Sequence, residues 1–134
     1  MREIKFRAKG CEMGEWLYGS LIQRKGFYPS ILFPIPTGDG KIRYIEHCVD
    51  SETICQYTGL KDKNGKEIYE GDIVQNLSEK KGYVAFLQQE MGYVVVWDSC
   101  DVRLGHRARG GSYDHDLSLE VIGNIYDNKE YLEE

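Results

Sequence analysis

The chain has 134 residues, of which 41% are hydrophobic and 29% are charged, and its formal net charge is −5. That balance excludes a disordered chain, and no apolar run approaches the roughly 18 residues that a membrane helix needs. The first residues lack the apolar segment of a secretory signal, so we expect a cytoplasmic protein without membrane contacts. Nucleic acid is a possible but unfavoured partner, because binding it non-specifically needs a basic surface that displaces counterions.

The first part of the chain, residues 1–52, predicts a small N-terminal β module. Apolar and polar residues alternate over 4–8, which is the period of a half-buried strand. Further strands are predicted over 16–22, 27–33 and 41–49. Pro34 and Pro36 predict a break in ladder pairing, because proline has no N–H to donate. Asp50 can cap a short helical turn at the end of this module.

Two turn signals mark the start of the second part, residues 53–134. A β-branched stretch over 53–58 favours a strand. Asn64 and Gly65 both tolerate positive φ, as a type I′ hairpin turn requires. In the next turn Gly71 can take a positive φ, and the carboxylate of Asp72 can bond the backbone of the turn. These four turn residues punctuate a series of short strands.

A hairpin is predicted from strands over 83–87 and 93–97, joined by a short loop near Gly92. Both of its faces are apolar, so we expect it at the centre of a barrel or covered by another module. The following polar stretch, 98–116, is predicted to be a long loop, and such loops are often functional or disordered. The last strand is predicted over 119–126, before an acidic end.

Taken together, the second part holds about five short strands with tight turns, which suits a small closed barrel. Its Glu70-Gly71-Asp72-Ile73-Val74 segment resembles the opening of SH3-like barrels. The predicted fold class is therefore mostly β, with an SH3-like small β-barrel in residues 53–134 and a smaller β module in residues 1–52.

The cysteines, Cys11, Cys48, Cys55 and Cys100, include no CxxC pair. Without a secretory signal we expect them to be reduced and to pack as small apolar residues. The cluster of His47, Cys48 and Cys55 does not have the spacing of a zinc finger or ribbon. The sequence leaves open whether any of these residues binds a metal, and it predicts no cofactor.

An arginine-rich loop is the candidate binding segment. Glycines separate its cationic groups, and a tyrosine that can stack on a base follows them. The candidate residues are Arg103, His106, Arg107, Arg109 and Tyr113. The competing interpretation is a solvated loop whose arginines pair with Asp98, Asp101, Asp114 and Asp116. It is favoured, because these acidic residues would compete with phosphate. If the loop binds nucleic acid, the affinity should fall steeply with salt.

Three function classes remain to be compared. The favoured class is a non-enzymatic binding module with an unknown macromolecular partner, since small β-barrels present loops and grooves. A homo-oligomeric structural protein is the second, because the first part is rich in aromatic residues (Trp16, Tyr18, Phe27, Tyr28 and Phe33). An enzyme is the third and least favoured: Asp114-His115-Asp116 holds acid–base groups, but adjacent residues of an extended chain face opposite ways. No phosphate loop, dinucleotide fingerprint or HExxH motif occurs.

Three blocks of the chain, in order, resemble YopX-like phage and prophage proteins. They are Met1-Arg2-Glu3-Ile4-Lys5-Phe6-Arg7-Ala8, the nineteen residues from Gln56 to Val74, and the closing Glu120-Val121-Ile122-Gly123-Asn124-Ile125-Tyr126-Asp127-Asn128. The resemblance implies a mostly-β protein with an SH3-like barrel in its later part, encoded by a phage or prophage and without enzyme activity. Lys9 departs from the family, whose members often have an aromatic residue there.

Overall fold

The structure is a computed structural model that describes residues 3–97, 101–103 and 118–133. Its strands form two antiparallel sheets, which confirms the mostly-β fold class. The strands are β1 Phe6–Lys9, β2 Trp16–Ile22, β3 Ser30–Pro36, β4 Ile42–Cys48, β5 Cys55–Lys61, β6 Glu67–Tyr69, β7 Asp72–Gln75, β8 Lys81–Leu87, β9 Gly92–Val96, β10 Asp101–Arg103 and β11 Glu120–Asn124. Short 3-10 turns lie at Ser51–Thr53, Gln88–Glu90 and Lys129–Leu132.

The chain divides into two compact units, an N-terminal unit of residues 1–57 and a C-terminal unit of residues 58–134. Strand β5 contains the division. The six-stranded sheet has the order β4-β3-β2-β1-β5-β6, so β4 is one of its outer strands. In the N-terminal unit the core is built from Ala8, Ile31 and Val49, with half-buried apolar side chains from β1, β2 and β3 packed around them.

The two prolines of β3 do not interrupt its ladder with β4, contrary to the prediction from sequence. Pro34 pairs with Tyr44, and Pro36 pairs with Ile42. Antiparallel pairs alternate between hydrogen-bonded and non-hydrogen-bonded, and Thr37 N donates to Lys41 O just beyond them. Both prolines therefore occupy non-hydrogen-bonded positions, where their missing N–H faces away from β4. On the side that the proline nitrogens face, the pairing between β2 and β3 covers only Ser20–Ile22 and stops before Pro34, so the predicted break is present on that side.

The C-terminal unit contains a five-stranded sheet with the order β10-β9-β8-β7-β11. Its core consists of Ile68, Val74, Val84, Val95, Leu119 and Val121, with Tyr93 and Trp97 packed against it. The predicted SH3-like barrel is not confirmed, because closure would require β10 to pair with β11. Among the described residues each of these outer strands has one neighbour only. Strand β10 also corrects the prediction that 98–116 is all loop, since Asp101–Arg103 pairs with β9.

The predicted hairpin is present as β8 and β9, which pair from Tyr83 with Val96 to Leu87 with Gly92. Its loop is the 3-10 turn Gln88–Glu90, and the chain leaves that turn through Met91 at φ +49. Burial of Val84, Val94 and Val95 shows that both faces of the hairpin contribute to the interior. Both faces of the hairpin are apolar because both are partly buried, and this burial does not require a closed barrel.

Candidate functional site

The turn between β5 and β6 is organised by the buried carboxylate of Asp62. Its Oδ1 accepts hydrogen bonds from the N–H groups of Asn64 and Lys66, at 2.8 and 2.9 Å. Within the turn only Gly65 has a positive φ, +82°. The predicted type I′ geometry, which needs two positive φ values, is therefore wrong. The bonds from Asp62 N to Lys66 O and from Gly65 N to Asp62 O enclose a three-residue loop, 63–65, whose last residue is left-handed. Loops of this length and handedness are usually a type I turn followed by a bulge.

The second oxygen of Asp62 reaches a distant strand. Oδ2 accepts from the N–H of Val121 at 2.9 Å, across 59 positions of sequence. Burial raises the pKa of Asp62, but the three backbone hydrogen bonds and the nearby Lys66 ammonium together outweigh it. The net result is a pKa below the ordinary value of 3.8. The carboxylate thus joins the first hairpin of the C-terminal unit to its last strand, and its role is structural.

The turn before β7 places Gly71 and Asp72 at the centre of the same unit. Gly71 has φ +81°, and the Asp72 carboxylate accepts from the N–H of Tyr69 at 2.8 Å. The backbone of Gly71 donates to Val84 O and accepts from Ile125 N. These residues hold three strands together and are buried, so they offer no surface to a ligand.

Only one candidate residue of the predicted arginine loop, Arg103, lies among the described residues. Arg103 ends β10, and its backbone pairs with Val94. The other candidate residues, His106, Arg107, Arg109 and Tyr113, lie outside the described residues. Their role in binding stays a prediction.

A row of exposed apolar side chains crosses β2, β3 and β4 in the N-terminal unit. Tyr44 lies directly opposite Pro34, and both are exposed. Tyr18 belongs to the same face, because Ser20 and Leu32 pair on that face and alternate residues of a strand share a face. Tyr44 is 63% exposed and Tyr18 is 46% exposed. We call Tyr18, Pro34 and Tyr44 the aromatic row. Reasoning from sequence did not identify this row, although it predicted the strands over 16–22 and 41–49 that carry the two tyrosines.

Basic side chains border this row on β1. The guanidinium of Arg7 stacks over the ring of Trp16 at 4.8 Å, and Arg7 is buried. The ammonium of Lys9 lies 5.5 Å from the centre of the same ring, so two cations contact Trp16.

The cysteines differ from the sequence prediction. Cys11 and Cys48 form a disulfide, with their Cα atoms 5.8 Å apart. The expectation that they are reduced is therefore wrong for this pair. The N–H of Cys11 donates to the carbonyl of Cys48, and this bond brings the two residues within the usual disulfide distance. Cys55 is buried and takes no part in the disulfide, and its thiol donates to Thr53 O at 3.2 Å.

No metal site emerges from the part of the chain that the structure describes, where no three acidic, histidine or cysteine side chains converge. The Nδ1 atom of His47 lies 2.9 Å from the carbonyl oxygen of Cys48. Cys100 lies outside the described residues, so its metal binding is untested. Nor does any helical segment in the described ranges have the length and apolar character to cross a bilayer.

A second surface feature is a cavity of about 310 Å³ in the C-terminal unit. It lies where β8 begins and β9 ends, beside the 3-10 turn Lys129–Leu132. Its lining combines charged and aromatic side chains, of which one is acidic: Glu79, Lys80, Lys81, Tyr83, Trp97 and Tyr131. The sequence alone gives no reason to associate Lys80 and Lys81 with Trp97, which is 16 or more positions away.

These features define the class: an all-β protein of two antiparallel sheets, with exposed aromatic surfaces. A model of the family described as YopX protein matches residues 5–133, and the chain belongs to the YopX family. The crystal structure of protein EF1440 from Enterococcus faecalis is similar, with a TM-score of 0.58 and 23% sequence identity. The match covers 98% of this chain and 99% of that one, and at this identity it shows a common fold. No curated protein matches the chain.

Proposed function

We propose that the protein is a phage- or prophage-encoded accessory protein of the bacterial cytoplasm and a non-enzymatic binding module. Its binding site is the outer edge of β4 together with the aromatic row. Its partner is a protein segment that adds to β4 as an extended strand. The single observation that carries the proposal is the position of β4, an outer strand of seven residues bordered by exposed aromatic side chains. The family resemblance supports the phage or prophage origin.

The backbone of β4 offers hydrogen bonds to such a strand. Val49 N donates to Pro29 O, and Thr37 N donates to Lys41 O, at the two ends of the ladder with β3. Alternation between these bonds directs the backbone groups of Ile42, Tyr44 and Glu46 away from β3. An added strand can pair with these groups, as in recognition by strand addition.

The edge is open over part of its length only. At its C-terminal end the carbonyl of Cys48 already accepts from Cys11 N, and the disulfide holds that contact. Within residues 42–46 there is no proline and no bulge, two devices that commonly protect outer strands. The carboxylate of Glu46 is held by a bidentate contact to Arg24, at 2.5 and 3.1 Å. The available edge is therefore about five residues long, enough for a short extended peptide.

Side chains beside the edge would provide affinity and selectivity. Tyr44 and Ile42 are each more than 60% exposed, and they project from the same face of β4 as the aromatic row. Aromatic side chains contribute large contact areas at interfaces and lose little conformational entropy there. We expect partner segments with apolar residues at alternate positions, since every second side chain of an added strand faces this row.

In the five-stranded sheet of the C-terminal unit, β7 lies between β8 and β11. We propose that this unit is an SH3-like module. Pairing of β10 with β11 would complete the barrel. Cytosolic thiols are kept reduced, so the Cys11–Cys48 disulfide does not support the proposed cytoplasmic setting.

The proposal is tested by selecting binders from a random twelve-residue peptide library and measuring their affinity by fluorescence anisotropy. Tyr44→Ala removes the ring, and Tyr44→Pro also removes an N–H that faces outward while leaving the ladder with β3 intact. We expect a loss of about 5- to 30-fold from the first change and a larger loss from the second. Tyr28→Ala is the matched control, because Tyr28 is an exposed aromatic residue outside the row.

Equal binding by all three variants, or enrichment of no peptide, would contradict the proposal. The edge of β4 could instead pair with a second copy of the chain. Light scattering of the protein alone tests this by measuring its mass in solution. A dimer that Tyr44→Pro converts to a monomer would replace the peptide proposal with self-association.

A further inference from the structure

The cavity of the C-terminal unit plays no part in the binding of a strand to β4. We propose that it binds one nucleotide unit, with the base stacked on aromatic rings and the phosphate held by Lys80 and Lys81. The unit is either a free nucleotide or one nucleotide of a single strand. This inference goes beyond the proposed function and involves different residues.

The position of Trp97 supports a stacking role. Its indole ring lies against the backbone of Gly82, where a Cβ atom would be only 2.7 Å from Cε3 of the ring. The ring also packs against the core of the unit, and the ammonium of Lys80 lies 5.9 Å from its centre. A base stacked near an aromatic ring and a phosphate near an ammonium are the two contacts that single-strand binding sites combine.

The turn before β8 fixes the backbone of Lys80. The side-chain Oδ1 of Asn76 accepts from the N–H groups of Ser78 and Lys80, each at 2.9 Å. Asn76 N also donates to Lys80 O at 3.0 Å, which closes the turn. The side chain of Lys80 therefore extends from a backbone that these hydrogen bonds hold at the rim of the cavity. The position of its backbone is thus fixed before a ligand binds.

Size and charge limit the ligand. The volume of about 310 Å³ is at the lower end of the usual range for small-molecule sites, so it suits one nucleotide rather than a longer ligand. Tyr83 and Tyr131 line the same space and supply further aromatic surface. Glu79 also lines the cavity and opposes the attraction of the two lysines for a phosphate. Together with the negative net charge of the chain, this predicts weak binding that depends on salt.

Binding can be measured through Trp97 itself. The chain has two tryptophans, so Trp16→Phe leaves Trp97 as the sole tryptophan. The probes are thymidine 5′-monophosphate, a ten-residue oligothymidylate and inorganic phosphate. We expect quenching of Trp97 by the nucleotide, the oligonucleotide or both, and little by phosphate alone. Binding of the nucleotide alone identifies a free nucleotide as the ligand, and binding of the oligonucleotide identifies a single strand. Failure of both probes, or equal binding of phosphate, overturns the proposal.

Variants locate the site. Lys80→Ala should weaken binding of the labelled oligonucleotide about fivefold and reduce the slope of log affinity against log salt by about 0.7. Trp97→Leu keeps an apolar side chain on the core and should cost at least about fivefold. Lys61→Ala, at another exposed lysine of the same unit, is the matched control. Circular dichroism establishes that each variant is folded.

The arginine loop provides the decisive comparison. If Lys80→Ala has no effect while Arg107→Ala combined with Arg109→Ala abolishes binding, the cavity is not the site and the proposal fails. If a single strand binds, the cavity proposal is supported when the double arginine variant still binds that strand and Lys80→Ala binds it more weakly. A failure here leaves the strand-addition proposal unaffected, since that site lies in the N-terminal unit.

Discussion

Replacing Asp62 with asparagine tests whether one carboxylate holds the C-terminal unit together. Asparagine retains the oxygen that accepts from Asn64 and Lys66. The equivalent turn before β8 shows that an amide can do this, because Asn76 accepts the same two kinds of N–H bond there. The amide can present only one oxygen, however, so its NH₂ group would face the N–H of Val121.

The expected loss follows from this contact. Asp62 is 1% exposed, and the bond to Val121 N is 2.9 Å long. A hydrogen bond to a charged group contributes about 1.5–3 kcal/mol, and a buried N–H left without a partner costs about 1–3 kcal/mol. These two figures describe the same contact, so we expect Asp62→Asn to reduce the free energy of unfolding of this unit by about 2–3 kcal/mol.

Urea unfolding in the Trp16→Phe background isolates this effect, because Trp97 then reports on the C-terminal unit alone. For a small unit with an m value of about 1–2 kcal/mol/M, the midpoint should fall by about 1–3 M. Asn76→Asp is the matched control, and we expect it to change the midpoint little, since the Asn76 side chain is not bonded to a distant strand.

The pH dependence has a definite sign. Because the pKa of Asp62 is lowered on folding, its contribution is fully present above the unfolded value of about 3.9. That contribution is lost as the pH falls through the lower folded value. The difference between the wild-type protein and Asp62→Asn should therefore be largest at pH 7 and shrink below about pH 4. A difference that is small at pH 7, or that does not change with pH, would refute the assignment of a charged Asp62 bonded to Val121.

Three further predictions concern other positions. Glu79→Gly replaces a non-glycine residue whose backbone is left-handed (φ +63). We expect urea unfolding to show a free energy of unfolding higher by about 0.5–1 kcal/mol. An unchanged midpoint would contradict backbone strain at this position. Gly82→Ala brings a Cβ against Trp97, so it should cost about 1–3 kcal/mol and alter the Trp97 emission, and an alanine variant identical in both respects would disprove the packing. Reduction of the Cys11–Cys48 disulfide should destabilise the N-terminal unit by about 2–4 kcal/mol in thermal unfolding followed by circular dichroism; identical curves with and without reductant would exclude the bond in solution.

Strand positions could be predicted well from the alternation of apolar and polar residues. The segment over 16–22 coincides with β2, and that over 41–49 contains β4. The third strand was displaced, since prediction placed it over 27–33 and β3 runs from Ser30 to Pro36. The sequence predicts that proline breaks the ladder, whereas the effect of proline depends on which neighbouring strand its nitrogen faces. The direction in which the proline nitrogen points is set by the register between two strands. The sequence of one strand alone does not show that register.

The candidate sites were harder to predict than the strands. Each depends on contacts between residues far apart in sequence, such as Pro34 with Tyr44 or Lys80 with Trp97. A period of two shows that alternate side chains share a face, but it does not show which face is covered. Tyr44 therefore had no distinguishing mark in the sequence, and its exposure follows from the position of β4 at the end of the sheet.

The two equivalent turns of the C-terminal unit show how one backbone design can serve different purposes. In both, a side-chain oxygen accepts from the second and fourth following N–H groups, and the third following residue has a positive φ. In the turn between β5 and β6 the two residues are Asp62 and Gly65; Asp62 is buried, and its second carboxylate oxygen binds another strand. In the turn before β8 they are Asn76 and Glu79, and the turn carries Lys80 to the rim of a cavity. The choice of side chains within a shared geometry thus decides whether the first residue of the turn also binds a distant strand.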